Sequence, residues 1–129
     1  MIVGIGVDTV EIERIRKMLE KDASSAFFRK TYTQAERDMA PETDRLKPLS
    51  EYYAGRFAVK EAVFKAVAPY SETPLNLRKI ETLRAKDGHP YVHITEDLAP
   101  VLASAGIRRI HISITHEKEY ATAFAVAED

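Results

Sequence analysis

Two carboxylates and a group of cations are the residues of this chain best suited to chemistry. Asp8 follows an apolar run, and Glu61 lies midway along a helical stretch, one turn after Phe57 and one turn before Lys65. Paired carboxylates can hold a hard divalent cation such as Mg2+, which keeps its other oxygen ligands from water and phosphate. Arg56 and Lys60 are like charges four residues apart, mildly destabilising unless an anion sits between them, and Lys65 adds a third cation nearby. Two carboxylates beside three cations suit Mg2+ together with a phosphate-bearing ligand. The plainer alternative makes Asp8 a helix cap and pairs Glu61 with Lys65 at spacing four. His116 closes a strand just before a loop, so its imidazole is either a surface group or a contact to a phosphate or base. Ser113 and Thr115 share one strand face and either donate to phosphate or face water.

Other chemistries are poorly supported. Gly4-Ile5-Gly6 lacks the third glycine of a dinucleotide fingerprint and lies within a strand rather than after it. Neither a Walker A sequence nor a Gly-x-Ser-x-Gly elbow occurs, and the four histidines (89, 93, 111 and 116) show no zinc-type spacing. With no cysteine, thiol catalysis, disulfides and cysteine–zinc sites are excluded. The 19 Lys and Arg against 20 Asp and Glu leave a formal charge of −1, so binding of nucleic acid or an anionic membrane would need a local patch. The opening is too short in apolar residues for a signal peptide or a membrane span. A soluble, cytoplasmic protein is the expectation.

The elements that must position these groups follow from periodicity. Ile2 to Val7 reads as a buried strand, and Gly4 and Gly6 within it imply close backbone approach. A helix over Thr9 to Lys21 is expected, with Asp8 and Glu11 as its cap and return partner. Thr33 with Glu36 repeats the capping-box pattern and opens a short helix towards Pro41; Pro41 to Pro48 is polar and irregular. The clearest helix runs from Glu51 to about Ala68, with Ser50 as N-cap and Pro69 as stop. Its Ala54, Ala58, Ala62 and Ala66 make a ridge of small residues suited to lying close on a sheet. The matching smooth face is Ala121, Ala123, Ala125 and Ala127 within the strand Tyr120 to Ala127. Arg109 to Thr115 alternates as a strand, with Ile110, Ile112 and Ile114 facing one way and residues 116–119 as the loop to the last strand. Ile80 to Lys86 and Tyr91 to Ile94 flank Asp87-Gly88 as a hairpin. Thr95 to Ala105 reads as a helix ending at Gly106, begun near Asp97 or bent at Pro100. The composition, 45% hydrophobic and 30% charged over 129 residues, supports one packed domain spanning 1–129. The fold class expected is α+β: an antiparallel sheet with a long central helix packed on it.

Taken together, the motifs resemble one family. Gly4-Ile5-Gly6-Val7-Asp8 with Ile12-Glu13-Arg14-Ile15, Tyr32-Thr33-Gln34-Ala35-Glu36, Gly55 to Ala66, and His111 to His116 followed by Tyr120-Ala121-Thr122-Ala123 occur in the order seen in the holo-[acyl-carrier-protein] synthases, the small single-domain 4′-phosphopantetheinyl transferases. The resemblance implies transfer of 4′-phosphopantetheine from coenzyme A to a serine of an apo acyl carrier protein, with Mg2+ as cofactor and adenosine 3′,5′-bisphosphate released. It makes Asp8 and Glu61 the metal ligands and Lys65 the lysine that meets the coenzyme A phosphates. Arg56, Lys60, Ser113 and His116 fall at positions lining the nucleotide site. Arg14 matches a carrier-docking arginine, and Met18 lies one turn further along the same helix. Homotrimers with sites between subunits are implied. The serine proton needs an acceptor, for which Glu61 is the first candidate and Glu36 the second. One departure is that Val67 to Pro74 carries no glycine where the family has a glycine-rich turn near the phosphates.

Charge is uneven in the N-terminal third. Arg14 to Lys30 holds six basic residues (Arg14, Arg16, Lys17, Lys21, Arg29, Lys30) against Glu20 and Asp22, interleaved with Met18, Phe27 and Phe28. Such a stretch is either a solvated face or a docking surface for an acidic partner. Two rival functions use the same residues: a non-catalytic module that binds carrier protein or coenzyme A, and a Mg2+-dependent phosphoesterase acting with water.

Overall fold

A helix that is apolar nearly all round must lie inside the protein, and α4 (Leu46–Val67) does. In the computed structural model, which describes residues 1–22 and 25–129, it lies across a three-stranded antiparallel sheet ordered β1 (Ile2–Glu11), β5 (Tyr120–Glu128), β4 (Arg109–His116). The register sets the residues facing α4 in rows: Gly4–Ala127–Ile110, Gly6–Ala125–Ile112, Asp8–Ala123–Ile114 and Val10–Ala121–His116. The alanine ridge of α4 and the alanine face of β5 are both fully buried, as the spacing predicts. On the other sides of α4 pack α1 (Ile12–Lys21), the short helices α2 (Ala26–Thr31) and α3 (Gln34–Asp38), α5 (Ala99–Ala105), and a two-stranded hairpin of β2 (Glu81–Arg84) with β3 (Pro90–His93). The α+β architecture expected from the sequence is the one observed.

Four boundaries differ from the sequence reading, each for a physical reason. The first strand continues to Glu11, because its pairing with β5 runs on through Asp8↔Ala123 to Glu11↔Tyr120. Asp8 is therefore a strand residue and caps nothing; α1 starts at Ile12 with no side-chain cap. The central helix starts at Leu46, not Glu51. Pro48 fits because it falls in the first turn, where no intrahelical partner for its missing N–H is needed. Ser50 is not the N-cap; its hydroxyl donates back to the Leu46 carbonyl at 2.5 Å. Similarly α5 starts at Ala99, with Pro100 in its first turn, and ends at Gly106 in the left-handed region, φ 70°. The additional helix α2 has Ser25 at its N-cap without a side-chain cap bond and is anchored by Phe28 and Tyr32, stacked with ring centroids 5.7 Å apart. The capping box is present as read: Thr33 Oγ1 accepts from Glu36 N–H at 3.2 Å, and Thr33 N–H donates to Glu36 Oε1 at 2.9 Å.

The glycines of β1 set how closely helix and sheet approach. A Cβ on Gly4 would lie 2.0 Å from the Ala66 carbonyl oxygen, and one on Gly6 would lie 1.9 Å from that of Ala62. Both obstacles are backbone, so only displacement of α4 could relieve them. At Gly55 the nearest atom is Nε2 of His116 at 2.8 Å, the end of a side chain that can move. Gly4→Ala and Gly6→Ala are each expected to destabilise the fold by about 3 kcal/mol or more, the upper range for overpacking. Gly55→Ala is expected to change stability by less than about 1 kcal/mol, since helix propensity favours alanine there. Urea unfolding of the three variants checks the order, and equal losses would contradict the backbone contact.

Candidate active site

The close approach of α4 to β1 brings Asp8, Glu61 and Lys65 together. Asp8 points from the middle of β1 to the helix side of the sheet, one row beyond Gly6. Lys65 reaches back to β1, donating to the Val7 carbonyl at 2.9 Å and to Asp8 Oδ1 at 3.2 Å. Glu61 stands one turn earlier on α4, partly exposed, and has no ion pair among the described residues. Burial, and then the negative charge of Asp8, push its carboxyl above the usual carboxylate range, while Lys65 and Arg14 pull it back. Two carboxylates that repel each other at an open rim form a donor set short of positive charge. Among the described residues no group of three or more acidic or histidine side chains converges. A divalent cation here would rest on two carboxylates and complete its shell from water and ligand oxygens, the habit of Mg2+. The residues present fit such an ion.

A second cluster forms where α4 crosses to β4. Arg56 is 2% exposed; its guanidinium lies over the Tyr52 ring, 4.5 Å from the centroid, and its buried Nε has no hydrogen-bond partner among the described residues. His116 lies on the same side of the sheet, its Nε2 3.1 Å from the Glu51 carbonyl and seated over the bare Cα of Gly55. Around them is a cavity of about 440 Å³ lined also by Met39, Pro41, Pro48 and Arg84. Burial draws the Arg56 guanidinium below its usual range; Tyr52 opposes that and Arg84 adds to it. Burial holds the Tyr52 hydroxyl up at about 12, so it stays protonated at neutral pH. Glu51 also lines the cavity, but its carboxylate forms no ion pair with Arg56 or Arg84 among the described residues, and with His116 the two arginines leave the lining receptive to an anion. Arg84 and Tyr52 escape the sequence reading. Tyr52, one turn before Arg56, leaves a stacking signal at spacing four, whereas nothing in sequence marks Arg84.

Two residues expected at the nucleotide site are placed elsewhere. The Lys60 ammonium is fully buried and donates to Glu36 Oε1 at 2.7 Å and to the carbonyls of Leu77 at 3.1 Å and Ile80 at 2.6 Å. All three of its protons are engaged inside the protein, so it offers none to a ligand. The anion that its spacing from Arg56 calls for is Glu36. That engagement also removes Glu36 as a proton acceptor for a substrate hydroxyl. Ser113 lies on the outer face of the sheet in the row Val7–Phe124–Ser113, turned away from Arg56 and His116 of its own chain. The glycine-free loop after α4 is fastened to its surroundings: Ser71 N–H donates to Ala68 O, Glu72 N–H to Ser104 Oγ, and Thr73 N–H to Ser71 Oγ. Those three amides are occupied and do not form a phosphate nest.

The basic helix face is partly neutralised within α1. Arg16 is held by Glu13, 2.5 Å away, and by Glu20, so its charge stays local. Arg14, Lys17, Met18 and Lys21 line a shallow recess of about 380 Å³ with Glu11, and the Arg14 guanidinium stands 5.8 Å from the Phe57 ring centroid. Phe28 belongs to the core and Phe27 packs against it.

Comparison with known proteins agrees with this arrangement. Residues 4–125 match the 4′-phosphopantetheinyl transferase superfamily. The holo-[acyl-carrier-protein] synthase of Fusobacterium nucleatum is 39% identical over 127 residues, covering 98% of each chain. The crystal structure of the corresponding synthase of Neisseria meningitidis superposes with a TM-score of 0.82 at 32% identity, covering 100% of both chains. A Bacillus anthracis holo-(acyl-carrier-protein) synthase, solved in complex with CoA (3′,5′-ADP), superposes with a TM-score of 0.76 at 35% identity over 98% of this chain and 96% of that one. From the glycine-bearing first strand to the alanine face of the last, the chain belongs to the 4′-phosphopantetheinyl transferase superfamily, in its holo-[acyl-carrier-protein] synthase family.

Proposed function

We propose that the chain, acting as one domain over 1–129, transfers 4′-phosphopantetheine from coenzyme A to the serine of an apo acyl carrier protein. The observation that carries this reading is the pairing of Asp8 and Glu61 across the β1–α4 contact, with the Lys65 ammonium bound to Asp8. Asp8 and Glu61 would hold Mg2+, which supplies positive charge to the pyrophosphate when bound. Lys65 adds a fixed cation beside the same oxygens. In the transfer, the serine oxygen bonds to the phosphorus that carries pantetheine. The bond from that phosphorus to the bridging oxygen breaks, and adenosine 3′,5′-bisphosphate leaves with the electron pair. Glu61 is the acceptor assigned to the serine proton, directly or through a metal-bound water, and Glu36 is sealed away from it. The cavity of Arg56, Arg84 and His116 receives the adenosine bisphosphate end, with both guanidinium groups facing its phosphates.

The outer sheet face supports assembly as a homotrimer with sites between subunits. Ile5, Val7 and Phe124 leave 60%, 48% and 48% of their surface exposed in adjacent rows, more apolar surface than a single chain covers. Ser113 lies on that same face, where a neighbouring subunit would bring it to a site. Sedimentation equilibrium is expected to give the mass of three chains, and a monomer at micromolar concentration would contradict this.

The central test is to incubate the protein with coenzyme A, Mg2+ and an apo carrier and to weigh the carrier. A gain of one phosphopantetheine group is expected. An unmodified carrier with intact coenzyme A would favour a binding module, and hydrolysed coenzyme A a phosphoesterase. Asp8→Ala and Glu61→Ala are each expected to lower turnover by a factor on the order of a hundred or more, because both metal ligands come from the protein. As Asp8 caps no helix, its loss should leave the melting temperature nearly unchanged.

Docking of an acidic carrier is proposed for the α1 recess of Arg14 and Met18. Charge reversal, Arg14→Glu, is expected to lower kcat/KM for the carrier by about tenfold to a hundredfold while KM for coenzyme A stays put. For the unaltered protein, kcat/KM for the carrier should fall as ionic strength rises. Carrier kinetics indifferent to both changes would move the docking surface elsewhere.

A further inference from the structure

Glu36 is a fully buried carboxylate, and both its oxygens are engaged. Oε1 accepts from the Lys60 ammonium at 2.7 Å and from Thr33 N–H at 2.9 Å; Oε2 accepts from Thr82 N–H at 3.0 Å. Lys60 continues the network to the Leu77 and Ile80 carbonyls, and the Tyr52 hydroxyl donates to the backbone carbonyl of Glu36 itself. One residue thereby ties together α3, α4, the turn at Leu77–Lys79 and β2.

Stability alone does not account for such a hub. A buried ion pair is often matched by two apolar residues of similar volume. What the ionic network adds is direction, since each bond fixes one element relative to the next. Three of the four joined elements carry or lead into residues that line the Arg56 cavity: Met39 and Pro41 follow α3, Tyr52 and Arg56 belong to α4, and Arg84 ends β2, while β4 adds His116 from outside the hub. Glu36 is not itself among the lining residues.

We infer that Glu36 is the positioning residue of that cavity: through Lys60, Thr82 and the Tyr52 hydroxyl it sets the spacing between the wall carrying Arg84 and the wall carrying Arg56, and so the affinity for the adenosine bisphosphate end of coenzyme A. The inference rests on the reading of this cavity as the nucleotide site. Slackening the hub obliges the ligand to order the walls when it binds, which weakens binding. Because the reacting groups at Asp8, Glu61 and Lys65 lie on the β1 side of α4, the effect falls on KM rather than on kcat.

Calorimetric titration of the full-length protein with coenzyme A and with adenosine 3′,5′-bisphosphate, beside steady-state kinetics, tests this with three variants. Tyr52→Phe keeps the ring beneath Arg56 and removes the hydroxyl's bond to Glu36 together with its hydrogen bond to Arg56; it is expected to weaken both ligands by about threefold to tenfold, the worth of one or two hydrogen bonds. Glu36→Gln is expected to weaken them by about tenfold or more, with kcat at saturating coenzyme A within about threefold and KM for the carrier unchanged. A purely structural role would lower the binding stoichiometry and kcat together and leave the dissociation constants unaltered, which would overturn the inference. Should Glu36→Gln fail to fold, Tyr52→Phe decides alone, and unchanged affinity in it overturns the proposal. Arg56→Ala separates the two levels. Unchanged affinity there would sink the nucleotide reading and the inference with it. Weakened affinity there, beside Tyr52→Phe and Glu36→Gln that bind normally, would sink only the role of Glu36.

Discussion

The contact on which the rest of the molecule depends is that between the backbone of α4 and the backbone of β1. Helix and strand meet at Gly4 and Gly6, where the helix carbonyls of Ala66 and Ala62 occupy the space of the missing methyl groups. Everything facing that contact is small: alanines on the helix ridge, alanines on β5, and isoleucines only on the far strand, β4. At this separation Lys65 spans from helix to strand and bonds to both Val7 and Asp8. Larger side chains in those rows would lift α4 away from β1, and with it Glu61 away from Asp8. Packing and chemistry are thus one constraint, and the glycines serve the site by lacking side chains.

Two kinds of buried charge meet on α4, and their environments divide the work. Lys60 is sealed, with three acceptors for its three protons, and belongs to the scaffold. Arg56 is nearly as hidden, yet its Nε has no partner among the described residues and its planar head lies along Tyr52 at the wall of an open cavity. Unpaired buried donors are uncommon because they forgo the hydrogen bonds that water would give. Leaving one at the wall of an open cavity is consistent with a ligand that completes it. The two side chains are one helical turn apart and are both basic, and only their partners tell them apart.

That distinction marks where sequence reasoning ran out. The pair Asp8 and Glu61 was legible as two carboxylates beside several cations, even though a helix cap and a spacing-four ion pair fitted the same residues, and so was the stacking of two alanine faces. The capping box at Thr33 and Glu36 was equally plain, since it is a local pattern four residues long. What the sequence did not disclose was that Glu36 has a second, long-range employment with Lys60, 24 residues away. Local periodicity carries no information on such a pair, so Lys60 read as a ligand contact. The separation of Ser113 from Arg56 and His116 of its own chain escaped for a different reason. Alternation told which residues share its face but not that this face is the one turned from α4. The start of α1 was misplaced because Asp8 and Glu11 imitate a cap, while cross-strand pairing to Tyr120, distant in sequence, held the strand extended.

The consecutive residues Lys60, Glu61 and Ala62 show why one buried helix organises both sites. Successive positions are turned by about 100° around a helix axis, so three neighbours point in three separate directions. Here Lys60 enters the ionic hub with Glu36, Glu61 faces the rim beside Asp8, and Ala62 lies against Gly6. The rotational setting of α4 is therefore fixed from two sides: by an ion pair that has one geometry, and by a backbone contact that tolerates no Cβ. Neither restraint alone would hold Glu61 to one direction. A smooth alanine ridge permits sliding, and a single lysine on a flexible stem permits rotation. Opposed across the helix, they leave the carboxylate between them little freedom, which is what a site must have if it is to align an incoming hydroxyl with a bound phosphate rather than merely attract both.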